Sequence, residues 1–160
     1  MKTDFNAQKT GKHPEQTTAQ AEAAGTKPVF SWSVRVYYED TDTGGIVYYA
    51  NYLRFFERAR TEWLRSLGVS QQALFDSEGL QFVVRSIDLQ YLAPARLDDM
   101  LHLKMDLLAA RRASLVLNQT ASLEGQSETL VSAKVRIAAI NHVTGRPIGL
   151  PQWILDRVNR

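Results

Sequence analysis

One long amphipathic helix restricts this chain to few folds, because one predicted strand precedes it and four follow it. From about residue 49, apolar side chains recur every three or four positions, which is the period of a helix with one buried face. The stripe consists of Tyr52, Phe56, Ala59, Trp63 and Leu67. It is long enough for roughly five turns at about 3.6 residues per turn. Gly68 follows it as a predicted C-terminal cap.

The segments on either side of this helix have the patterns of strands. Before it, a period of two predicts a half-buried strand with four side chains on one face: Trp32, Val34, Val36 and Tyr38. After it, four segments are apolar or alternating: 80–91, 100–110, 114–123 and 129–140. The connections between these segments are short, so we expect antiparallel neighbours. One long helix against such a sheet is an α+β arrangement.

Two shorter helices and a tail complete the predicted organisation. Ser70 is placed as the N-cap of a helix over 71–76, and residues 153–158 are predicted to form a terminal helical turn. Residues 1–28 are rich in Lys, Gln, Thr, Ala and Gly and have few large apolar side chains. Such a segment cannot bury enough surface to offset the entropy of ordering it. We therefore expect a flexible tail over 1–28 and one folded domain over 29–160.

Composition excludes several classes of function. The 160 residues include no Cys, which rules out disulfides, thiolate metal sites and a cysteine nucleophile. The net charge is only +2, and no basic stripe alternates with aromatics, so nucleic acid is not an expected partner. No segment approaches the roughly 20 apolar residues of a membrane span. The three His are isolated, so neither a metal nor a cofactor is expected. We expect a cytoplasmic protein without a transmembrane segment.

The turn between the first strand and the long helix contains the residues best suited to chemistry. Asp40 and Asp42 precede Gly44 and Gly45, and the helix follows directly. The first N–H groups of a helix lack internal partners and can stabilise a developing oxyanion. Glycine lets a ligand approach the backbone, and a carboxylate supplies a base or nucleophile. This combination suits acyl transfer, although either aspartate could equally be an ordinary turn residue.

The same segment resembles a known family. The run Asp-Thr-Asp-x-Gly-Gly-Ile-Val-Tyr over 40–48, followed by Glu57-x-Ala59-Arg60, is similar to the signature of hotdog-fold thioesterases of the 4-hydroxybenzoyl-CoA thioesterase type. Within them, the chain most resembles the Tol-Pal system-associated acyl-CoA thioesterases, and the likeness extends from residue 34 to about 151. The resemblance implies a hotdog fold, in which a five-stranded antiparallel sheet wraps a central helix. It also implies a homodimer or homotetramer with active sites between subunits.

The resemblance assigns roles that the residues alone leave open. It implies that Asp42, not Asp40, is the catalytic carboxylate, and that the backbone N–H of Tyr49 binds the oxyanion. Several relatives of the most similar group have His where this chain has Tyr49, which leaves the backbone role unchanged. The implied substrate is a thioester of CoA, with acyl carrier protein as the other carrier considered. Asp42 would either attack the carbonyl, giving a mixed anhydride, or deprotonate a water molecule.

The resemblance also points to residues around this centre. Substrate contacts are expected from Gly44, Gly45, Tyr48, Arg85, Arg111 and Arg112. The arginines are candidates because guanidinium groups bind phosphates such as those of CoA, although each could simply be solvated. We expect Glu57 and Arg60 to have a structural role next to the site, without contacting the substrate. A plain ion contact between them on the helix surface, worth about 0.2–0.5 kcal/mol, is the alternative.

Two other functions are compatible with this fold. A dehydratase or hydratase usually needs a histidine near the helix start, and none lies between residues 14 and 101. A protein that binds acyl thioesters or acts as a scaffold without turnover would not need Asp42 and its glycine turn. Both alternatives therefore rank below an acyl-CoA thioesterase.

Overall fold

The computed structural model describes residues 28–159, and the predicted tail over 1–28 therefore lies, except for Pro28, outside the described residues. Within this part the strands are β1 (Phe30–Arg35), β2 (Leu80–Tyr91), β3 (Met100–Arg111), β4 (Ser114–Leu123) and β5 (Thr129–Asn141). The helices are α1 (Asn51–Ser66), α2 (Gln71–Glu78) and α3 (Gln152–Val158). No helix among them is long and apolar enough to cross a membrane.

The strands form one five-stranded sheet in the order β1-β3-β4-β5-β2, and every neighbouring pair is antiparallel. The predicted α+β class and the antiparallel arrangement of the last strands are confirmed. Because β1 and β2 are the outer strands, each leaves one row of backbone groups unpaired within the described chain. The position of β2 matters for the site, because this strand ends beside the N-terminus of α1.

The long helix packs its apolar side onto one face of the sheet. Tyr52, Phe56, Ala59 and Trp63 of the predicted stripe are buried, and so are Phe55 and Leu64 beside them. They join a single core cluster with inward-facing residues of β3, β4 and β5, such as Leu103, Leu117 and Val135. Burial of this stripe, rather than intrinsic helix propensity, is the main stabilisation expected for α1.

The ends of the predicted helices agree closely with the structure. Gly68 follows α1, and its N–H donates to the Arg65 carbonyl. The Ser70 hydroxyl accepts from the Ala73 N–H at 3.2 Å, so the predicted N-cap is confirmed. The side chain of Arg157 on α3 donates to the Leu67 carbonyl at 2.9 Å, which ties the last helix to the end of α1.

The first strand is shorter than predicted. It ends at Arg35, and residues Tyr38–Asp40 form a 3-10 turn. Tyr38 is 82% exposed, so its predicted place on the buried face is wrong. The cause is local: the Asp40 carboxylate accepts the Tyr37 N–H at 2.8 Å, which closes a turn where the alternation alone would continue a strand.

Candidate active site

The turn between β1 and α1 holds Asp42 at an exposed tip. One carboxylate oxygen, Oδ1, accepts the Gly44 N–H at 2.8 Å, and the Asp42 carbonyl accepts the Gly45 N–H at 3.0 Å. A side chain at residue 44 would place its Cβ 3.1 Å from Asp42 Oδ1, and Gly45 has φ +72°. Gly45 is therefore needed for the backbone conformation of this turn, and a side chain at residue 44 would crowd the Asp42 carboxylate. The predicted contact of both glycines with substrate stays a prediction.

The structure distinguishes the two aspartates that the sequence pattern left open. Asp40 is buried, and its carboxylate is occupied by the Tyr37 N–H. Its carbonyl accepts the Tyr48 N–H at 2.8 Å and the Asn51 side chain at 3.0 Å. Asp42, in contrast, has an oxygen, Oδ2, that accepts no hydrogen bond from any residue in 28–159. Asp40 thus holds the turn together, whereas Asp42 presents a carboxylate oxygen to solvent.

The backbone N–H of Tyr49 lies at the positive end of α1. The helix begins at Asn51, two residues later than predicted, and Tyr49 belongs to the turn before it. Among residues 28–159, no acceptor bonds the Tyr49 N–H. No side chain caps α1 at Ala50, and its first turn contains no acidic residue. Within residues 28–159, neither a capping side chain nor a first-turn carboxylate offsets the helix dipole at this end, which favours binding of an anionic oxygen.

An apolar groove of about 290 Å³ includes Tyr49 in its lining. It is lined by Ile46, Val47, Tyr49, Tyr52, Tyr91, Leu92, Ala93 and Pro94. The ring of Tyr49 lies 4.6 Å from that of Tyr48 and meets Tyr91 edge-on at 6.2 Å. The sequence pattern assigned no role to Tyr91. It is the last residue of a strand, and the pattern within that strand does not show which distant segment the residue contacts.

Arg60 is buried behind the helix rather than paired with Glu57. Its Nη1 donates to Gln119 Oε1 at 2.8 Å, and the Gln119 amide donates to the Phe56 carbonyl at 3.0 Å. Burial lowers the pKa of the Arg60 guanidinium, and the Glu57 charge partly opposes this shift. Glu57 accepts from the Thr61 hydroxyl instead, and within the described chain the ion contact considered for the pair is not formed. Arg60 therefore attaches α1 to β4.

We expect Arg60→Met to reduce the free energy of unfolding by about 1–3 kcal/mol, the cost of leaving a buried acceptor on Gln119 without a donor. The double variant Arg60→Met/Gln119→Leu should recover part of this loss, since both polar groups are then removed. Urea denaturation at fixed protein concentration measures both. Equal losses in the single and double variants would contradict the assigned contact.

The other predicted arginines lie away from the turn. Arg85 is an exposed residue at a bulge of β2, where the register with β5 shifts. Arg111 ends β3, and Arg112 lies in the following hairpin turn. Strand pairing places Tyr91 level with Leu103 on β3. Along β3, Leu103 lies about 25 Å from Arg111, at a rise of ~3.3 Å per residue. Within one chain, Asp42, Tyr48 and Tyr49 thus belong to one short segment, whereas Arg111 lies far along the sheet from it.

The part of the chain that the structure describes contains no cluster of three or more His, Asp or Glu residues able to hold a metal ion. The chemical groups assembled at the site are a carboxylate, a backbone donor at a helix N-terminus and an apolar groove. These groups suit nucleophilic attack on a carbonyl with stabilisation of the resulting oxyanion.

Comparison with known proteins identifies the family to which the chain is similar. The family model of the Thioesterase-like superfamily matches residues 36–158. The acyl-CoA thioester hydrolase YbgC of Escherichia coli O6:H1 is 46% identical over 127 residues, which are 79% of this chain and 93% of the relative. The acyl-CoA thioesterase YbgC of Haemophilus influenzae is 42% identical, covering 78% and 90%. The solved structure of a probable thioesterase from Bartonella henselae superposes with a TM-score of 0.71 at 39% identity, covering 76% and 98%.

These matches confirm the resemblance to hotdog-fold thioesterases and the predicted hotdog fold, since the long central helix and five-stranded antiparallel sheet are both present. The match covers the turn with Asp42, the helix and all strands that follow. The chain belongs to the thioesterase-like superfamily.

Proposed function

We propose that this chain hydrolyses acyl-CoA thioesters to a free acid and CoA, with Asp42 as nucleophile or general base and the Tyr49 N–H as oxyanion donor. The observation that supports this most is that, within residues 28–159, one carboxylate oxygen of Asp42 and the N–H of Tyr49, just before α1, both lack a hydrogen-bond partner. The YbgC relatives, at 42–46% identity, are named as acyl-CoA thioesterases or thioester hydrolases. Because this chain aligns with nearly the full length of these relatives, we infer the substrate class from their names.

In one version of the mechanism, the Asp42 carboxylate attacks the thioester carbonyl carbon. The carbonyl oxygen becomes an oxyanion held by the Tyr49 N–H, and the C–S bond then breaks to release CoA thiolate. Water hydrolyses the mixed anhydride to free acid and Asp42, and the thiolate takes up a proton. In the other version, Asp42 removes a proton from water, and the resulting hydroxide attacks the same carbon. Both versions use the same two groups and give the same products.

Release of free thiol from a panel of acyl-CoAs tests the function. The panel should span short, long and aromatic acyl groups and include the matching acyl carrier protein thioesters, because the site does not define the carrier. We expect the wild-type protein to release thiol from at least one acyl-CoA. Binding without thiol release would favour the non-catalytic alternative. Water addition to an enoyl-CoA without thiol release would favour a hydratase.

We also propose that the functional unit is a homodimer or homotetramer, with β2 in the contact between copies. β2 is an edge strand, and three of its apolar side chains are exposed: Val84 by 47%, Ile87 by 37% and Tyr91 by 48%. Leu53 on the adjacent face of α1 is also exposed. An unpaired edge with apolar side chains favours pairing with another strand. A second copy is also a way to bring distant arginines near the Asp42 turn.

Ile87→Lys should therefore shift the protein from its oligomer towards monomer, because a charge at the centre of the contact would have to be desolvated. Sedimentation velocity at low micromolar concentration measures the shift. The control is Val143→Lys, which changes an equally apolar but 77% exposed side chain in the turn after β5. A wild-type protein that is monomeric at all concentrations, or an Ile87→Lys variant that remains an oligomer, would contradict the contact.

A cytoplasmic location stays a prediction that follows from the proposed substrate, since acyl-CoA is a cytoplasmic metabolite. Association with a Tol-Pal system is likewise a prediction, and co-purification from the native host tests it. The division of the chain at residue 29 can be tested by limited proteolysis, which should remove a tail and leave thioesterase activity.

A further inference from the structure

The last residue of β2 reaches the turn that carries the proposed oxyanion donor. The Tyr91 hydroxyl donates a hydrogen bond of 2.9 Å to the backbone carbonyl of Tyr49, 42 residues earlier in the chain. The Tyr91 ring also meets the rings of Tyr49 and Tyr52 edge-on, at 6.2 and 6.0 Å. Tyr52 is itself fixed, because it is buried and its hydroxyl accepts the Ala95 N–H at 3.1 Å. Tyr91 thus connects the sheet to Tyr49, two residues before α1, through a hydrogen bond and aromatic contacts.

The backbone of Tyr49 is held on both sides. On the preceding side, the Asn51 N–H donates to the Tyr48 carbonyl at 2.8 Å, which fixes the peptide group that contains the Tyr49 N–H. On the following side, Tyr91 is the residue that fixes the peptide carbonyl. The Tyr49 side chain is 60% exposed, so its own packing cannot hold it. The hydrogen bond from the Tyr91 hydroxyl therefore links the sheet to the backbone of Tyr49.

The direction of an oxyanion donor matters more than its mere presence. A donor stabilises the transition state only when it points at the place where the oxygen will be, at about 2.7–3.1 Å, without reorganising during the reaction. We propose that Tyr91 is a positioning residue, whose hydroxyl bond to the Tyr49 carbonyl holds the Tyr49 N–H in the direction required for the oxyanion. This proposal rests on the proposed thioesterase function. Partial burial is the larger cause, and the neighbouring Tyr49 the smaller one, of a raised pKa for Tyr91. A tyrosine hydroxyl is in any case protonated at neutral pH, so it can donate this bond.

Tyr91→Phe removes the hydroxyl and keeps the ring. We expect kcat for thioester hydrolysis to fall about tenfold, less than the roughly 10²–10³-fold cost of losing an oxyanion donor outright, with KM nearly unchanged. Tyr38→Phe is the matched control, because Tyr38 is 82% exposed and its hydroxyl contacts no partner among residues 28–159. Its kcat should equal that of the wild type.

Two substrate analogues separate positioning from a purely structural role. A difluoroketone analogue replaces the thioester sulfur by CF₂ and readily forms a tetrahedral adduct that mimics the oxyanion, whereas a thioether analogue keeps the sulfur and lacks the carbonyl. Tyr91→Phe should weaken binding of the ketone and leave binding of the thioether unchanged, as measured by calorimetry. The role of Tyr91 is overturned if Tyr91→Phe weakens binding of both analogues equally. It is also overturned if Tyr91→Phe keeps the wild-type kcat while Asp42→Asn is inactive. In both cases the proposed function itself stands. Absence of thiol release by the wild type overturns the proposed function, and this inference with it.

Discussion

Asp42→Asn is expected to lower the rate of thioester hydrolysis by on the order of 10²–10⁴-fold, the usual contribution of a positioned acid or base. Asparagine has nearly the same shape as aspartate but is neither a useful base nor a carboxylate nucleophile. It also keeps an oxygen that can accept the Gly44 N–H, the hydrogen bond by which Asp42 closes its own turn. The variant should therefore fold normally. Free thiol release under saturating acyl-CoA measures the loss, and thermal unfolding checks the fold.

Asp40→Asn is the matched control, since it makes the same chemical change two residues earlier. Among residues 28–159, the buried Asp40 carboxylate accepts only the Tyr37 N–H, and an amide oxygen can accept the same bond. We expect this variant to keep activity of the same order as the wild type, with at most a modest loss of stability. If Asp40→Asn lost activity and Asp42→Asn kept it, the assignment of the two carboxylates would be reversed. Equal activity in all three proteins would eliminate a catalytic carboxylate in this turn.

The regular elements were predictable because each depends on a pattern within its own segment. The bounds of β2 and β4 agree with their alternating or apolar runs, and the buried stripe of α1 agrees with the helical period. The end of β1 was not predictable in this way. Tyr38 continues the alternation, but the side chain of Asp40 bonds the Tyr37 backbone and turns the chain. Competition between a side chain and the backbone ladder does not appear in a hydrophobic pattern.

The candidate site divides in the same way. Asp42, the glycines and Tyr49 are neighbours in sequence, so the resemblance of one segment to the family implied their roles together. Contacts that join distant segments were missed: the bond from Tyr91 to Tyr49, and the bond from Arg60 to Gln119. Arg60 directly follows Ala59 of the predicted stripe, and its spacing from Glu57 left a surface ion contact as the alternative to a supporting role. The helix instead packs closely enough on β4 to bury Arg60. Such burial depends on the angle between helix and sheet, which sequence spacing does not give.

Phe55→Ala is expected to lower the free energy of unfolding by about 3–5 kcal/mol, the usual cost of removing a fully buried aromatic side chain and leaving a cavity. Phe55 is 0% exposed and meets Tyr52 edge-on at 6.1 Å, within the core between α1 and the sheet. For a chain of this size the loss corresponds to a fall in Tm of roughly 6–20 °C. Phe75→Ala makes the same change on α2, where the ring is 37% exposed, and should cost much less. Urea and thermal unfolding must be compared at one protein concentration, because association of folded chains raises apparent stability. Equal losses of stability in both variants would contradict the central place of α1 in the core. The positions of Tyr49 and Tyr52 at its N-terminus would then have to be fixed by contacts other than this packing.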